Sequence, residues 1–204
     1  MNTSAAVIYL AHLNPMTNAH KLIISTLKRD HRVYVFPVRF IKDGREVNTR
    51  SFPFPYELRK QMVESVFDDS VTVLPDYTFY APYNKYMPPF LSSRSWELRN
   101  QIITQIKEER FVSYTGDKTE RIMLKAYRLN PLKADRLEVS ASSVKENLYR
   151  QVVEGNANEQ WRLKVPEVVA EIIKKNWNIV EKFARIEDST TRVMGMKFPK
   201  EGYK

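Results

Sequence analysis

The amino-acid sequence predicts an α/β fold, in which a doubly wound parallel sheet forms a single domain with helices at its C-terminal end. Short apolar segments alternate with segments of helical periodicity, which is typical of parallel strands joined by helices. The first apolar segment is apolar throughout, as expected of a strand covered on both faces. The predicted strands are 5–11, 32–38, 71–74, 110–114 and 136–139.

Helices are predicted between and after these strands from the spacing of their apolar side chains and from capping residues. The predicted helices are 18–29, one from Pro55, 95–107, one capped by Asp117 and Glu120, one capped by Ser143 and Glu146, and one from Pro166. Right-handed crossovers bring the carboxyl ends of such strands to one edge of the sheet, where ligands bind.

Three segments, 42–55, 75–89 and 188–204, show neither the apolar run of a strand nor the periodicity of a helix. Segment 42–55 is polar and basic and contains Gly44, so we expect a mobile loop there. Segment 75–89 is rich in Tyr and Pro, which predicts irregular structure. We therefore expect one domain at 1–187, with C-terminal helices from about 157, and a polar tail without regular structure at 188–204.

The composition of the 204 residues limits the classes of protein and partner. Hydrophobic residues make up 43% of the chain, which is enough for a sizeable core and argues against disorder. The absence of cysteine excludes disulfides and thiolate metal sites. A net charge of +9 favours polyanionic partners. No apolar run is long enough to cross a membrane and no signal peptide is evident, so a cytoplasmic location is the default expectation.

The first chemistry-bearing segment, 12–20, joins the first strand to its helix. Unpaired backbone N–H groups at a helix start attract anions. Thr17 adds a hydroxyl group, and His20, one turn into the helix, can donate from its ring to a phosphate oxygen. The alternative is an ordinary connector, in which Thr17 or Asn18 caps the helix and His20 is merely exposed.

The second segment, 139–145, again lies between a strand and a helix. Ser140, Ser142 and Ser143 offer hydroxyl donors at the helix start. Lys145 lies in the first turn, where a cation opposes the helix dipole, and a bound polyanion would remove that conflict. The alternative is a serine-rich cap with a solvated lysine. Each segment on its own therefore predicts a helix start suited to an anion.

These two segments resemble the signatures of the nucleotidylyltransferase superfamily. Thr17-Asn-Ala-His20 resembles its T-x-G-H or H-x-G-H signature, and Val139-Ser-Ala-Ser-Ser-Val-Lys145 resembles its I-S-S-T-x-I-R signature. The resemblance implies a Rossmann-like fold of the HUP nucleotidyltransferase type. The chain departs from the pattern in having Ala19 for the usual glycine, Lys145 for arginine, and Ala11 where a glycine often precedes the motif.

Two further segments are similar to parts of the same family. Thr115-Gly-Asp117, followed by Arg121, resembles its nucleotide-binding turn, and Tyr56-Glu-Leu-Arg59 resembles the E-x-R start of its second helix. The resemblance implies catalytic roles for Thr17, His20 and Lys145. It implies nucleotide binding by Ala11, His12, Leu13, Asn14, Ala19, Thr115, Gly116, Asp117, Arg121, Ser140, Ser142 and Ser143, and acceptor binding by Lys42, Arg59 and Trp96.

The same resemblance implies a reaction of ATP or CTP with a small-molecule acceptor that carries a phosphate. Mg²⁺ would arrive with the nucleotide, because no carboxylate set for a metal is visible. Thr17, where cytidylyltransferases more often have histidine, favours ATP. Lys42, Arg45 and Arg50 either close over the phosphates from the mobile loop or are solvated loop charges.

Several acceptors stay open. Trp96 resembles a tryptophan near the pyridine ring in nicotinamide or nicotinate mononucleotide adenylyltransferases, although it could equally be a core aromatic. Phosphopantetheine adenylyltransferase is the next branch, and a cytidylyltransferase of a small phospho-alcohol is a third.

Readings from another class stay open as well. They are a catalytically degenerate nucleotide sensor, because of Ala19, and a nucleic-acid-binding protein, because the Tyr-rich segment 77–86 could stack bases. Dispersed basic residues make nucleic acid the weaker of these two readings. A homo-oligomer is also left open by the sequence.

Overall fold

The computed structural model describes residues 5–115, 118–132, 141–155 and 159–204. Its helices and strands alternate through most of the chain. In chain order they are β1 (Ala6–Ala11), α1 (Asn18–Leu27), β2 (Arg32–Pro37), β3 (Arg39–Lys42), β4 (Arg45–Glu46), α2 (Tyr56–Phe67), β5 (Thr72–Val73), β6 (Thr78–Tyr80), α3 (Ser93–Thr104), β7 (Phe111–Tyr114), α4 (Lys118–Ala126), β8 (Pro131–Leu132), α5 (Ala141–Glu154), α6 (Glu167–Lys175), α7 (Trp177–Ala184), β9 (Thr190–Val193) and β10 (Met196–Pro199).

The central sheet has five strands in the order β5-β2-β1-β7-β8, and every pairing in it is parallel. Alternate side chains of β1 enter two different cores, as the pleat requires. Val7 and Tyr9 pack with apolar side chains of α1, α2, α5, α6 and α7. Ile8 and Leu10 pack with side chains of α3, α4 and the smaller sheets. The predicted doubly wound α/β sheet is therefore confirmed.

Two predicted helices differ from the sequence-based expectation, and one predicted strand is not tested. The predicted strand 136–139 lies outside the described residues, and the fifth strand of the described sheet is β8, which is too short to show a periodicity. Helix α5 already begins at Ala141, so Ser143 and Glu146 lie inside its first turns and do not cap it. The final helix is interrupted at Asn176, whose φ of −115° and ψ of 34° are not helical.

The segment expected to be a mobile loop contains regular structure. Strand β3 pairs antiparallel with β4 and parallel with β6, which makes a separate three-stranded sheet. Long-range hydrogen bonds fix the rest of the segment. The Asn14 side-chain amide exchanges two hydrogen bonds with the backbone of Phe54, and the Arg50 guanidinium donates to the carbonyls of Phe183, Ala184 and Ile186. These contacts could not be predicted from the polar composition of the segment, because the partners lie far away in sequence.

The polar segment 188–204, which we expected to lack regular structure, carries the β9–β10 hairpin. Met194 and Gly195 form its two-residue turn with φ of 48° and 85°, the positive pair that a type I′ turn requires. Phe198 is fully buried and contacts the rings of Phe40 and Phe79. The hairpin therefore belongs to the second core.

Within the described ranges, no helix has both the length and the apolar character needed to traverse a lipid bilayer.

Candidate functional site

A cleft of about 600 Å³ opens at the carboxyl end of β1. Its lining includes Ala11 at the end of β1 and, from the first predicted segment, His12, Leu13, Asn14 and His20. The second supplies Ala141, Ser142 and Lys145. This is the edge of a parallel sheet at which ligands are expected to bind.

The starts of α1 and α5 meet at this cleft. The Lys145 amine donates a hydrogen bond to the Asn14 carbonyl at 2.8 Å, although the two residues are 131 positions apart. A second link runs through residues 163 and 164: the Asn18 side chain donates to the Leu163 carbonyl at 3.0 Å, and the Lys164 amine donates to the Ser143 hydroxyl at 2.7 Å. The two segments that the sequence analysis paired are therefore neighbours in space.

Thr17 orients the ring of His20. The Thr17 backbone N–H donates to Nδ1 of His20 at 2.9 Å, and the Thr17 hydroxyl lies 2.9 Å from the same nitrogen. Because Nδ1 accepts, the neutral ring carries its proton on Nε2 and can donate from there. Burial and the nearby Lys145 charge lower the pKa of His20 to about 4, so the ring is neutral at pH 7. Thr17 itself is fully buried and does not line the cleft.

Lys145 is a buried cation with little compensation. The residue is 9% exposed, and its amine donates a hydrogen bond to the neutral Asn14 carbonyl. No carboxylate of the described residues lies within ion-pair distance of its amine. Desolvation, followed by repulsion from Lys197, lowers the pKa of Lys145 to about 8. A group held in this way is matched to an anionic ligand.

His12 forms an aromatic platform in the cleft. Its ring stacks on Phe52 with 4.5 Å between centroids and 8° between planes. The ring opens onto the cleft, yet desolvation and the positive charges of Arg59, Lys145 and Lys197 lower the pKa of His12 to about 3. Neutral His12 and His20 can therefore contact a ligand without adding charge to an already positive site.

Of the nucleotide-binding residues expected in and after the turn that follows β7, the two that the structure describes do not line the cleft. Thr115 is buried and donates to Glu120 at 2.5 Å. Arg121 lies on α4 and does not line the cleft. Gly116 and Asp117 lie outside the described residues, as does Ser140 of the second segment. Two other predicted residues are near the cleft without lining it, namely Ala19, which is buried, and Ser143, which Lys164 contacts.

None of the three expected acceptor residues lines the cleft. Arg59 is 2% exposed, forms a 2.9 Å ion pair with Glu46, and donates to the carbonyls of His12 and Val38, so it fixes the backbone beneath the site. Lys42 pairs with Glu201 at the surface. The Trp96 indole donates to the Phe90 carbonyl and packs edge-on against Tyr127. Arg50, which holds the end of α7, is likewise used structurally.

Sequence reasoning missed the residues that β9, β10 and their turn bring to the cleft, namely Arg192, Met194, Gly195, Met196 and Lys197. A signal for them was present. Gly195 stands between two short segments, and the second alternates apolar and polar residues, which is a hairpin pattern.

A smaller apolar pocket of about 70 Å³ adjoins the cleft. Leu10, Tyr77, Glu120, Met123 and Met196 border both cavities. The rest of its wall combines the aromatic side chains of Phe79, Tyr86 and Tyr127 with mostly aliphatic side chains, namely those of Leu98, Ile102, Leu124 and Leu129.

The donor set at the cleft does not resemble a metal cage. Glu120 is the one carboxylate among its described lining residues, beside histidines and cations. In the part of the chain that the structure describes, no group of three or more His, Asp or Glu side chains is placed to hold a metal ion.

Comparisons with known proteins bear on the fold. No protein-family model matches the sequence, and no curated protein matches it. Among solved structures, a bifunctional NMN adenylyltransferase/ADP-ribose pyrophosphatase from Francisella tularensis, complexed with AMP and a manganese ion, is similar with a TM-score of 0.60 at 14% identity. The match covers 89% of this chain and 52% of that protein, so the chain spans about half the length of the Francisella protein.

Two shorter proteins match over nearly their full length. A proposed nicotinate-nucleotide adenylyltransferase from Vibrio parahaemolyticus has a TM-score of 0.53 at 12% identity, with coverage of 88% of this chain and 96% of that one. The nicotinic acid mononucleotide adenylyltransferase of Plasmodium falciparum, complexed with NaAD, has a TM-score of 0.50 at 13% identity, with coverage of 86% and 98%. The chain therefore shares its overall fold with these three adenylyltransferases.

Proposed function

We propose that this chain is a nucleotidyltransferase that transfers AMP from ATP to nicotinamide or nicotinate mononucleotide and releases pyrophosphate. One observation carries the proposal: the starts of α1 and α5 converge on a single cleft, linked by the 2.8 Å hydrogen bond from Lys145 to Asn14. Two helix starts with a buried lysine that forms no ion pair among the described residues suit several phosphates. The fold shared with mononucleotide adenylyltransferases supports the choice of substrates.

The reaction needs no covalent enzyme intermediate. A phosphate oxygen of the acceptor forms a bond to the α-phosphorus of ATP, while the bond from that phosphorus to the bridging oxygen of the β-phosphate breaks. Pyrophosphate leaves with the electron pair. Both substrates are anionic, so the protein contributes by aligning them and by offsetting negative charge as it develops on the leaving group.

We assign a separate task to each side chain from its placement. His20 donates from Nε2 to a phosphate oxygen, and Thr17 acts through His20 by holding its ring. Lys145 offsets the charge of the leaving pyrophosphate. Ser142, exposed at the start of α5, donates its hydroxyl to the β- or γ-phosphate. Because these groups are fixed before the ligand binds, little reorganisation is needed during the reaction.

The acceptor occupies the side of the cleft that leads to the apolar pocket. A flat pyridine ring fits a wall of aromatic side chains such as Tyr77 and Tyr127, because aromatic faces stack favourably. Trp96 contributes indirectly, through its contact with Tyr127. We therefore propose that Tyr127, and not Trp96 as the sequence suggested, contacts the acceptor directly.

A divalent metal ion would enter with the nucleotide. Since the described residues lining the cleft offer a single carboxylate, Glu120, the triphosphate oxygens would supply most of the coordination. When bound, such an ion neutralises phosphate charge.

The proposal is tested by mixing the protein with ATP or CTP and each acceptor in turn, and measuring pyrophosphate release together with the mass of the nucleotide product. We expect a dinucleotide from ATP with one of the two pyridine mononucleotides. Product from phosphopantetheine, or from CTP with a phospho-alcohol, would keep the nucleotidyltransferase reaction and change the acceptor. If no combination of nucleotide and acceptor yields pyrophosphate, although the protein binds ATP, the protein is a nucleotide sensor and not a transferase.

A further inference from the structure

The β9–β10 hairpin places an unexpected pair of like charges at the cleft. Arg192 and Lys197 are register partners on the two strands, and both line the cleft. Side chains directly opposite each other on antiparallel strands are close neighbours, and like charges there are destabilising. With Lys145, the hairpin pair gives three cations against the single carboxylate of Glu120 among the described lining residues.

Lys197 is held in a defined position. Its amine donates to the Ser51 hydroxyl at 2.9 Å, and Ser51 in turn donates to Asp188 at 2.6 Å. The distance from the Lys197 amine to the Asp188 carboxylate is 3.7 Å, so Asp188 only partly offsets the positive charge of Lys197. Arg192 is exposed and makes no ion pair with any residue that the structure describes.

The hairpin cannot easily swing away from the cleft. The alternation of side chains along β10 sends Lys197 to the cleft and Phe198 into the second core, where Phe198 is fully buried. Asp188 accepts hydrogen bonds from Ser51 and Thr190, which fixes the start of the hairpin to the β4–α2 connection. The two cations are therefore part of a rigid wall.

Resting on the function proposed above, we infer that the C-terminal hairpin completes the triphosphate site, with Lys197 as a direct phosphate ligand positioned by Ser51 and with Arg192 as a weaker, outer contact. A polyphosphate between Lys145 and Lys197 relieves the repulsion among the three cations. The site thus consists of three walls: two helix starts and one hairpin.

The test compares Lys197→Met with Lys200→Met, which removes the same charge from an exposed position beside the hairpin outside the cleft. The ligands are inorganic tripolyphosphate, ATP and adenosine, and binding is measured by titration calorimetry. We expect Lys197→Met to weaken tripolyphosphate and ATP roughly 10–100-fold, the scale of one hydrogen bond between charged groups. Lys200→Met should stay within about 2-fold of the wild type.

Further variants separate direct contact from a structural role. Lys197→Arg should recover most of the lost affinity, and Arg192→Met should weaken tripolyphosphate about 2–5-fold because its side chain is solvated. Adenosine lacks phosphate, so its affinity should not change in any variant. The melting temperatures of Lys197→Met and Lys200→Met without ligand should differ by less than about 4 °C, because the partly exposed contacts of Lys197 contribute at most about 1 kcal/mol.

The outcomes that overturn the inference are distinct from those that overturn the proposed function. Wild-type affinity for tripolyphosphate in Lys197→Met, or an equal loss for adenosine, removes Lys197 from the phosphate site and leaves the proposed function standing. If the wild-type protein binds neither tripolyphosphate nor ATP, the proposed function fails and this inference fails with it.

Discussion

Arg59 and Lys145 are both buried cations carried by sequence segments that resemble one family, yet the structure uses them in opposite ways. Arg59 meets the Glu46 carboxylate at 2.9 Å and donates to two backbone carbonyls. Lys145 donates to one neutral carbonyl and is repelled by Lys197, while the carboxylates of Asp188 and Glu146 act on it only from beyond ion-pair distance. The first is internally neutralised and stabilises the fold, whereas the second is left for a ligand to neutralise. Burial alone does not separate these two roles, but the presence of a charged partner does.

The largest expected effect tests the paired cation. Arg59→Met should lower the free energy of unfolding by about 3–5 kcal/mol, because it strands a largely buried Glu46 carboxylate. Urea unfolding measures the change. Arg94→Met is the matched control, since its ion pair with Glu97 is exposed and should contribute less than about 1 kcal/mol. Similar losses in the two variants would mean that Arg59 is not a structural cation.

A second prediction concerns His20, whose neutral ring is oriented toward a ligand. His20→Ala should reduce turnover roughly 10²–10³-fold, the scale for losing one preorganised donor. Its stability should change little, because the ring bonds mainly to Thr17 of the same turn. Steady-state kinetics with ATP and the active acceptor measure the effect, with His31→Ala, whose ring contacts the distant Ala5 carbonyl, as control. Unchanged turnover in a folded variant would exclude His20 from the reaction.

Replacing Lys145 should change the free energy of unfolding in the opposite direction from replacing Arg59. Lys145→Met should stabilise the ligand-free protein at pH 7 by about 1–2 kcal/mol while abolishing stabilisation by tripolyphosphate. The folded pKa of about 8 lies below the unfolded value of 10.5, so the charged amine destabilises the fold fully below pH 8. That cost falls as the pH rises from 8 to 10.5, and the two proteins should converge there. Denaturant unfolding at pH 7 and 10 tests this, and a destabilised variant at pH 7 would contradict it.

The smallest expected effect is proton uptake on binding. An anion beside Lys145 favours its charged form and raises its pKa, so the wild-type protein should take up a fraction of a proton when it binds tripolyphosphate at pH 8.5. Calorimetry in two buffers with different ionisation enthalpies measures the uptake. Lys197→Met should reduce affinity yet retain uptake, whereas release of protons would show that the ligand does not lie beside Lys145.

The fold was predictable where local pattern and burial agree. The apolar run of β1 and the periodicities of α1 and α2 identified the first half of the central sheet, because each element buries one recognisable set of side chains. The small sheet of β3, β4 and β6 was not predicted, since its pairings join segments whose own composition is polar or rich in Pro and Tyr.

The candidate site was predictable in the same uneven way. Lys145 and His20 could be found because they stand near helix starts, a local feature of the chain. Arg59 was expected at the acceptor, but its partner Glu46 lies in a two-residue strand that no periodicity reveals. Lys197 reaches the cleft through a contact with Ser51 across 146 positions, and local sequence carries no information about such a pairing.

The burial of Phe198 has a practical consequence for anyone shortening this chain for crystallisation or display. Trimming at residue 188, where composition alone would place the cut, removes a ring that covers Phe40, Phe79 and Tyr83. The fragment would expose an apolar surface and aggregate. Its lack of activity could then be mistaken for proof that the parent protein has no enzymatic role.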